Sequence, residues 1–132
     1  MSSQQMRIST LWIVVMFNIV FADILSFIAP GFMAGVVMGT VDGIVLTQEM
    51  LLGFAILLEI PIAMIYFSRT LEGKANRLAN LVAGIITIIF VVGGGSLTPH
   101  YIFFASIEVL CILLIIGIAF KRPAEIGVGA DV

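Results

Sequence analysis

Four long apolar stretches constrain this chain more than any other feature of its sequence. They cover residues 11–29, 50–68, 78–97 and 101–120. A helix of this length is about 29 Å long, which matches the roughly 30 Å hydrocarbon core of a bilayer. The chain is 61% hydrophobic and only 11% charged, unlike a soluble domain. We therefore predict one all-α domain, an integral membrane four-helix bundle.

The basic residues are distributed unevenly between the connections. All six Lys and Arg residues precede residue 11 or fall in 69–77 or 121–132, and the other two connections contain none. By the positive-inside rule, this distribution predicts antiparallel, up-down spans in the plasma membrane. Both termini, the 69–77 loop and the 121–132 tail are then cytoplasmic.

The connection 30–47 is mostly apolar and has glycines at every fourth position from 31 to 43. On a helix, these glycines would form one stripe that permits close packing across the outer mouth of the bundle. The alternatives are a flexible loop and a small hairpin that turns at the sequence VDGI.

Several residues mark the expected helix ends. Thr47 and Thr98 are good N-cap residues, and Gly73 suits the end of the second span. Trp12 and Tyr66 lie close to predicted interfaces, as does Tyr101, and such residues are typical of an aromatic belt.

Three carboxylates, Asp23, Glu59 and Glu108, each lie in a different apolar stretch that contains no Lys or Arg. A charge near the bilayer centre costs roughly 2.5 to 3.5 kcal/mol on insertion scales. Helical rise places the three acids roughly 10, 15 and 12 Å below the outer boundary. We expect them to converge on one interior site.

Spacing by three and four residues predicts which helix faces point inward. On each of three spans the small and polar residues share one face: Ala55, Glu59, Ala63 and Tyr66; Asn76, Asn80, Gly84 and Thr87; Tyr101, Ala105, Glu108 and Cys111. On the first span, the arc with Asn18, Asp23 and Ser26 is broader.

The predicted ligand- or ion-binding residues combine the acids with nearby polar side chains: Asp23, Glu59, Glu108, Asn18, Ser26 and Tyr101. Clustered, buried carboxyl groups share protons and can exchange them for a cation. The sequence therefore favours a membrane protein that binds or transports a cation, a proton or a cationic amphiphile. A cavity of about 300 Å³ or more beside the three acids would support this function.

Two other functions remain open at this point. One is a non-catalytic subunit or an oligomeric scaffold, in which a protonated Glu only hydrogen-bonds to another helix. The other is an enzyme that uses carboxylate acid–base chemistry on a lipid-soluble substrate, for which no catalytic residue can be named. The expected partners are the bilayer, a small cationic or amphiphilic molecule and, as an open alternative, further copies of the chain.

Cofactor chemistry has no support in the sequence. The lone His100 stands outside the acidic layer and Cys111 is the only cysteine, so neither a di-iron site nor another metal site is expected. Nucleotide and haem motifs are missing, and the net charge of -2 does not suggest a nucleic-acid partner.

Four segments carry a resemblance to a known family: the segment around Asp23, LLEIPIAMIYFSR, ANRLANLVAGIIT and the fourth span. They resemble an uncharacterised family of small four-helix bacterial membrane proteins. That resemblance implies four spans and marks Asp23, Glu59, Pro61 and Glu108 as parts of recognisable motifs, and it supplies no activity. The location we expect is the inner membrane. A more distant likeness, in topology alone, is to DoxX-like proteins. Small multidrug transporters and sterol-isomerase-like folds are analogies in which membrane carboxylates meet a cationic or apolar ligand.

Overall fold

The computed structural model describes residues 2–41 and 43–121, which are mostly helical. The helices are α1 Ser3–Ile28, α2 Phe32–Val37, α3 Gln48–Thr70, α4 Gly73–Gly93 and α5 Pro99–Phe120, and the short strands are β1 Thr40–Val41 and β2 Ile44–Val45. All helices except α2 are long and apolar enough to cross a membrane. The prediction of four helices that are long and apolar enough to span a membrane is thereby confirmed. The up-down topology and the cytoplasmic termini stay predictions, and the predicted tail lies outside the described residues except for Lys121.

Side-chain caps mark where α1 and α3 begin, whereas Thr98 stands at the N-cap of α5 without a side-chain cap hydrogen bond. The Ser2 hydroxyl accepts a 3.1 Å hydrogen bond from the Gln5 N–H, and the Gln5 side chain accepts one from the Ser2 N–H at 2.7 Å. This capping box lets α1 begin well before residue 11. The Thr47 hydroxyl accepts from the Met50 N–H at 3.1 Å, as predicted. The prediction that Gly73 ends the second helix is wrong, because Gly73, with φ of 59°, is the first residue of α4.

The connection between α1 and α3 contains both a short helix and a hairpin. Gly31, Gly39 and Gly43 have φ values of 86°, 80° and 80°, in the left-handed region that favours glycine. They therefore serve turns and do not form a stripe on one helix. Strands β1 and β2 pair in antiparallel register, and a Cβ at Gly35 would lie 2.9 Å from the Thr40 carbonyl oxygen. We call α2 and this hairpin the cover segment.

The four long helices bury a shared core. Helix α1 contacts α3 and α5, and α4 contacts the same two helices. Trp12, Val15 and Ile112 are fully buried at the centre. A Cβ at Gly84 would lie 3.0 Å from Ile112 Cγ2, so glycine permits the close approach of α4 and α5.

Candidate functional site

A cavity of about 250 Å³ lies among the four long helices, near the cover-segment end. Its polar lining comes from Asp23 on α1 and from Tyr101 and Glu108 on α5. The remaining lining is apolar and includes Ile19, Leu58, Phe54, Phe90 and Val91. We call it the acid cavity. Among the described residues its lining includes no Lys or Arg, so no basic side chain of the cavity wall offsets the two carboxyl groups there.

Glu108 is the most deeply buried of the three membrane acids, with 2% of its surface exposed. It points inward because it shares a face of α5 with the buried Cys111, Ile112 and Ile115. Within the part of the chain that the structure describes, its Oε1 atom has no hydrogen-bond partner. A buried acceptor without a partner typically costs about 1 to 3 kcal/mol. Glu108 is therefore an acid whose interactions inside the chain are incomplete.

Asp23 and Tyr101 complete the polar lining in different ways. Asp23 is exposed and lies beside the buried Ala22, so it borders the cavity from the rim of α1. The Tyr101 hydroxyl donates a 2.9 Å hydrogen bond to the Val91 carbonyl oxygen. A Cβ at Gly95 would overlap the Tyr101 ring, so that ring packs directly on the glycine backbone. The predicted belt residue Tyr101 is thus part of the cavity wall.

The remaining predicted site residues lie outside the acid cavity. Glu59 is exposed on α3 and does not line the acid cavity. Asn18 donates from Nδ2 to the Val14 carbonyl oxygen of its own helix, at 2.8 Å. Ser26 Oγ lies 3.0 Å from His100 Nε2, outside the acid cavity. That these three residues bind the same ligand as Glu108 stays a prediction.

A second cavity, of about 440 Å³, lies under the cover segment. Ser26 and His100 line it together with backbone and side chains of the cover segment. Ser26 lies one helical turn beyond Asp23 on α1, and His100 immediately precedes Tyr101. The hydrogen-bonded Ser26–His100 pair therefore lines the second cavity and lies close in sequence to Asp23 and Tyr101, which line the acid cavity.

The prediction for the inward face of α3 is wrong. Ala55, Glu59 and Tyr66 are exposed, and Tyr66 has 65% of its surface accessible. The buried residues of α3 are Pro61, Met64 and Ser68. These residues lie on the opposite side of the helix. They pack against the neighbouring helices because small side chains such as those on the Glu59 face would leave empty space there.

A polar cluster lies near one end of the four long helices, where the described Lys and Arg residues are found; we call this the basic end. Residue spacing predicted only part of this cluster. Asn80 Oδ1 accepts hydrogen bonds from Trp12 Nε1 at 2.8 Å and from Ser68 Oγ at 3.1 Å. Asn80 Nδ2 donates to the Asn76 carbonyl oxygen at 2.9 Å, and Asn76 Nδ2 donates to that of Ser68 at 2.9 Å. The predicted inward stripe of α4, which includes Asn76 and Asn80, is confirmed. The belt role predicted for Trp12 is wrong, because Trp12 is buried in this cluster.

Sequence reasoning also missed Phe54 and Phe90, which line the acid cavity. Their ring centroids are 6.2 Å apart and tilted by 55°. An apolar residue in an apolar span carries no signal that separates a cavity wall from ordinary core. As for metal binding, the described residues contain no group of three or more His, Cys, Asp or Glu side chains that could hold an ion.

Comparison with known proteins identifies a family and assigns no activity. A model for a family of unknown function (DUF6326) matches residues 2–125. No curated protein and no solved structure matches the chain.

Proposed function

The chain belongs to this family, and we propose that it is a small multi-pass membrane protein whose acid cavity binds a small monovalent organic cation. The ligand class we favour is a protonated amine, taken up in exchange for protons held by the carboxyl groups. Such an exchange is also the central step of proton-coupled transport. The proposal concerns binding, and a binding measurement tests it directly. Transport would be a further step.

One observation supports the proposal above the others. Glu108 is 2% exposed, its Oε1 has no hydrogen-bond partner among the described residues, and it lines a cavity with a second acid, Asp23. A carboxyl group kept only to join two helices would donate or accept a hydrogen bond across the bundle. An ammonium group is the complementary partner, because it supplies positive charge and several donors.

The size and lining of the cavity favour a small organic cation. The acid cavity has a volume of about 250 Å³. This volume is below the roughly 300 Å³ at which drug-sized pockets begin, which disfavours a bulky amphiphile. The rings of Phe54, Phe90 and Tyr101 line the space, and aromatic faces attract alkylammonium ions through cation–π interactions.

The cavity under the cover segment offers an approach to this site. Its lining includes the Ser26–His100 pair. Ser26 lies one helical turn from Asp23 on α1, and His100 immediately precedes Tyr101 on α5. We infer that a cation passes from this larger space to the two acids. The predicted orientation puts that approach on the outer side of the membrane.

Calorimetric titration of the purified protein in micelles tests binding. Methylammonium, tetramethylammonium and sodium serve as separate probes, and each titration is run in two buffers with different ionisation enthalpies to count released protons. We expect an organic ammonium to bind with proton release, and Glu108→Gln to weaken its affinity at least about tenfold.

The matched control is Glu49→Gln, which neutralises an exposed acid in the first turn of α3. This variant should retain the wild-type affinity. Equal affinities in Glu108→Gln and the wild type would contradict the proposal. Glu59→Gln, in the same titration, tests the sequence prediction that Glu59 also binds.

A further inference from the structure

Glu59 occupies the most unfavourable position that a carboxyl group can have in this chain. It is the central residue of α3, which has 23 residues, and it is exposed. At about 1.5 Å per residue, it lies roughly 16 Å from either end of the helix. It makes no hydrogen bond or ion pair with the described residues. Acids at this depth almost always face a protein interior or a polar partner, because lipid cannot solvate them.

The surface around Glu59 has the composition of a helix–helix contact. Ala55 and Ala63 lie one turn before and one turn after it, and small side chains let a second helix approach closely. This chain already uses the opposite face of α3, with Pro61, Met64 and Ser68, for its own packing. The Glu59 face therefore has the features of an interface, and no element within residues 2–41 and 43–121 covers it.

We propose that a second copy of this chain covers the Glu59 face and forms a two-fold dimer through α3. Copies inserted with the same orientation are related by an axis along the membrane normal, which sets residues of equal depth opposite one another. Glu59 of one copy then meets Glu59 of the other. Two carboxyl groups that share a proton can donate to and accept from each other, so the pair needs no basic residue.

The pairing chemistry of Glu59 favours a second copy, because a two-fold dimer brings an equal carboxyl group to the same depth and the two can share a proton. Near mid-span, the described parts of the four spanning helices contain no exposed Lys or Arg that could pair with Glu59. The acid cavity lies away from this face, and it involves Asp23 and Glu108 instead. Dimerisation through Glu59 is thus independent of ligand binding in the cavity.

Cysteine cross-linking in native membranes tests where the copies meet. In a Cys111→Ala background, Ala55→Cys and Ala63→Cys should each give a cross-linked dimer with a short thiol-specific reagent. Val82→Cys is the matched control, because Val82 lies near the middle of α4 and is 47% exposed. We expect little dimer from this control. Equal cross-linking at all three positions would overturn the proposed interface.

The role of the Glu59 pair is measured by dimer dissociation in micelles, followed by energy transfer between labelled copies. Glu59→Leu should weaken the dimer about three- to tenfold, because it removes the interhelical hydrogen bonds. Glu59→Gln should stay within about threefold of the wild type, since two carboxamides can also pair reciprocally.

Leucine is more favourable than glutamate in lipid, so Glu59→Leu should keep the wild-type helical circular dichroism and thermal stability as a monomer. A Glu59→Leu protein that dimerises like the wild type would overturn the proposal. The proposal would also be overturned if the wild-type chain is monomeric in micelles and the Ala55→Cys variant cross-links in membranes only to a different protein.

Discussion

The polar cluster at the basic end and the acid cavity at the cover-segment end place polar groups inside the same apolar bundle, but they satisfy them differently. In the polar cluster, Asn80 uses both its oxygen and its nitrogen, and Trp12 and Ser68 both donate to it. In the acid cavity, Glu108 Oε1 is buried without a partner among the described residues, and Glu108 is one of the residues that line the cavity.

Under the proposed function, the difference separates a structural use of polar groups from a ligand-binding one. A fully hydrogen-bonded network fixes the relative positions of α1, α3 and α4, because any shift would leave buried groups unpaired. A buried acid without a partner lowers stability, and it is retained where binding requires it. The two regions should therefore respond in opposite ways when their polar residues are replaced by leucine.

The largest effect is expected in the polar cluster. Asn80→Leu leaves Trp12 Nε1 and Ser68 Oγ without their acceptor, and we expect the free energy of unfolding to fall by about 2 to 4 kcal/mol. Reversible unfolding in mixed micelles measures this change. Asn18→Leu is the control, since Asn18 bonds only within its own helix, and its effect should stay below about 1 kcal/mol. Similar losses in the two variants would show that the cluster has no special structural role.

An intermediate effect is expected at the wall of the acid cavity. Gly95→Ala would push its methyl group into the Tyr101 ring. We expect a loss of about 1 to 3 kcal/mol in unfolding free energy, as is typical of overpacking, and weaker cation binding. Gly93→Ala is matched to it, because a Cβ at Gly93 meets nothing within 4 Å. Equal stability of the two alanine variants would contradict the packing of Tyr101 on Gly95.

The smallest change in stability is expected at Glu108. Replacing it with leucine removes a buried group whose Oε1 has no partner among the described residues. Glu108→Leu should therefore unfold within about 1 kcal/mol of the wild type or be more stable. The same unfolding assay measures it, beside the loss of cation binding. A destabilisation above about 2 kcal/mol would mean that Glu108, like Asn80, stabilises the packing of the helices.

Local chemistry was sufficient to predict much of the fold. The length of each apolar stretch identified the four spanning helices, since it depends only on neighbouring residues and the thickness of the bilayer. The cap at Thr47 and the buried stripe with Asn76 and Asn80 were also correct. In each case, one helix and its own residues contained the information.

Predictions that required knowing the rotation of a helix about its axis were less successful. The face with Ala55 and Glu59 has the small and polar residues of an inner face, yet it is exposed. Trp12 was placed in an aromatic belt because of its position near a span end, but it reaches Asn80 in the interior. Both outcomes depend on which neighbouring helix fills the space beside the residue.

The candidate site shows the same division. Sequence alone determined that three acids lie within apolar spans and at similar predicted depths, because depth follows from helical rise. Only the tertiary structure decided that Glu108 and Asp23 share a cavity with Tyr101 while Glu59 faces outward. The physical reason is that a helix can turn about its axis without changing the depth of its residues. Packing against the other helices then selects which of them meet.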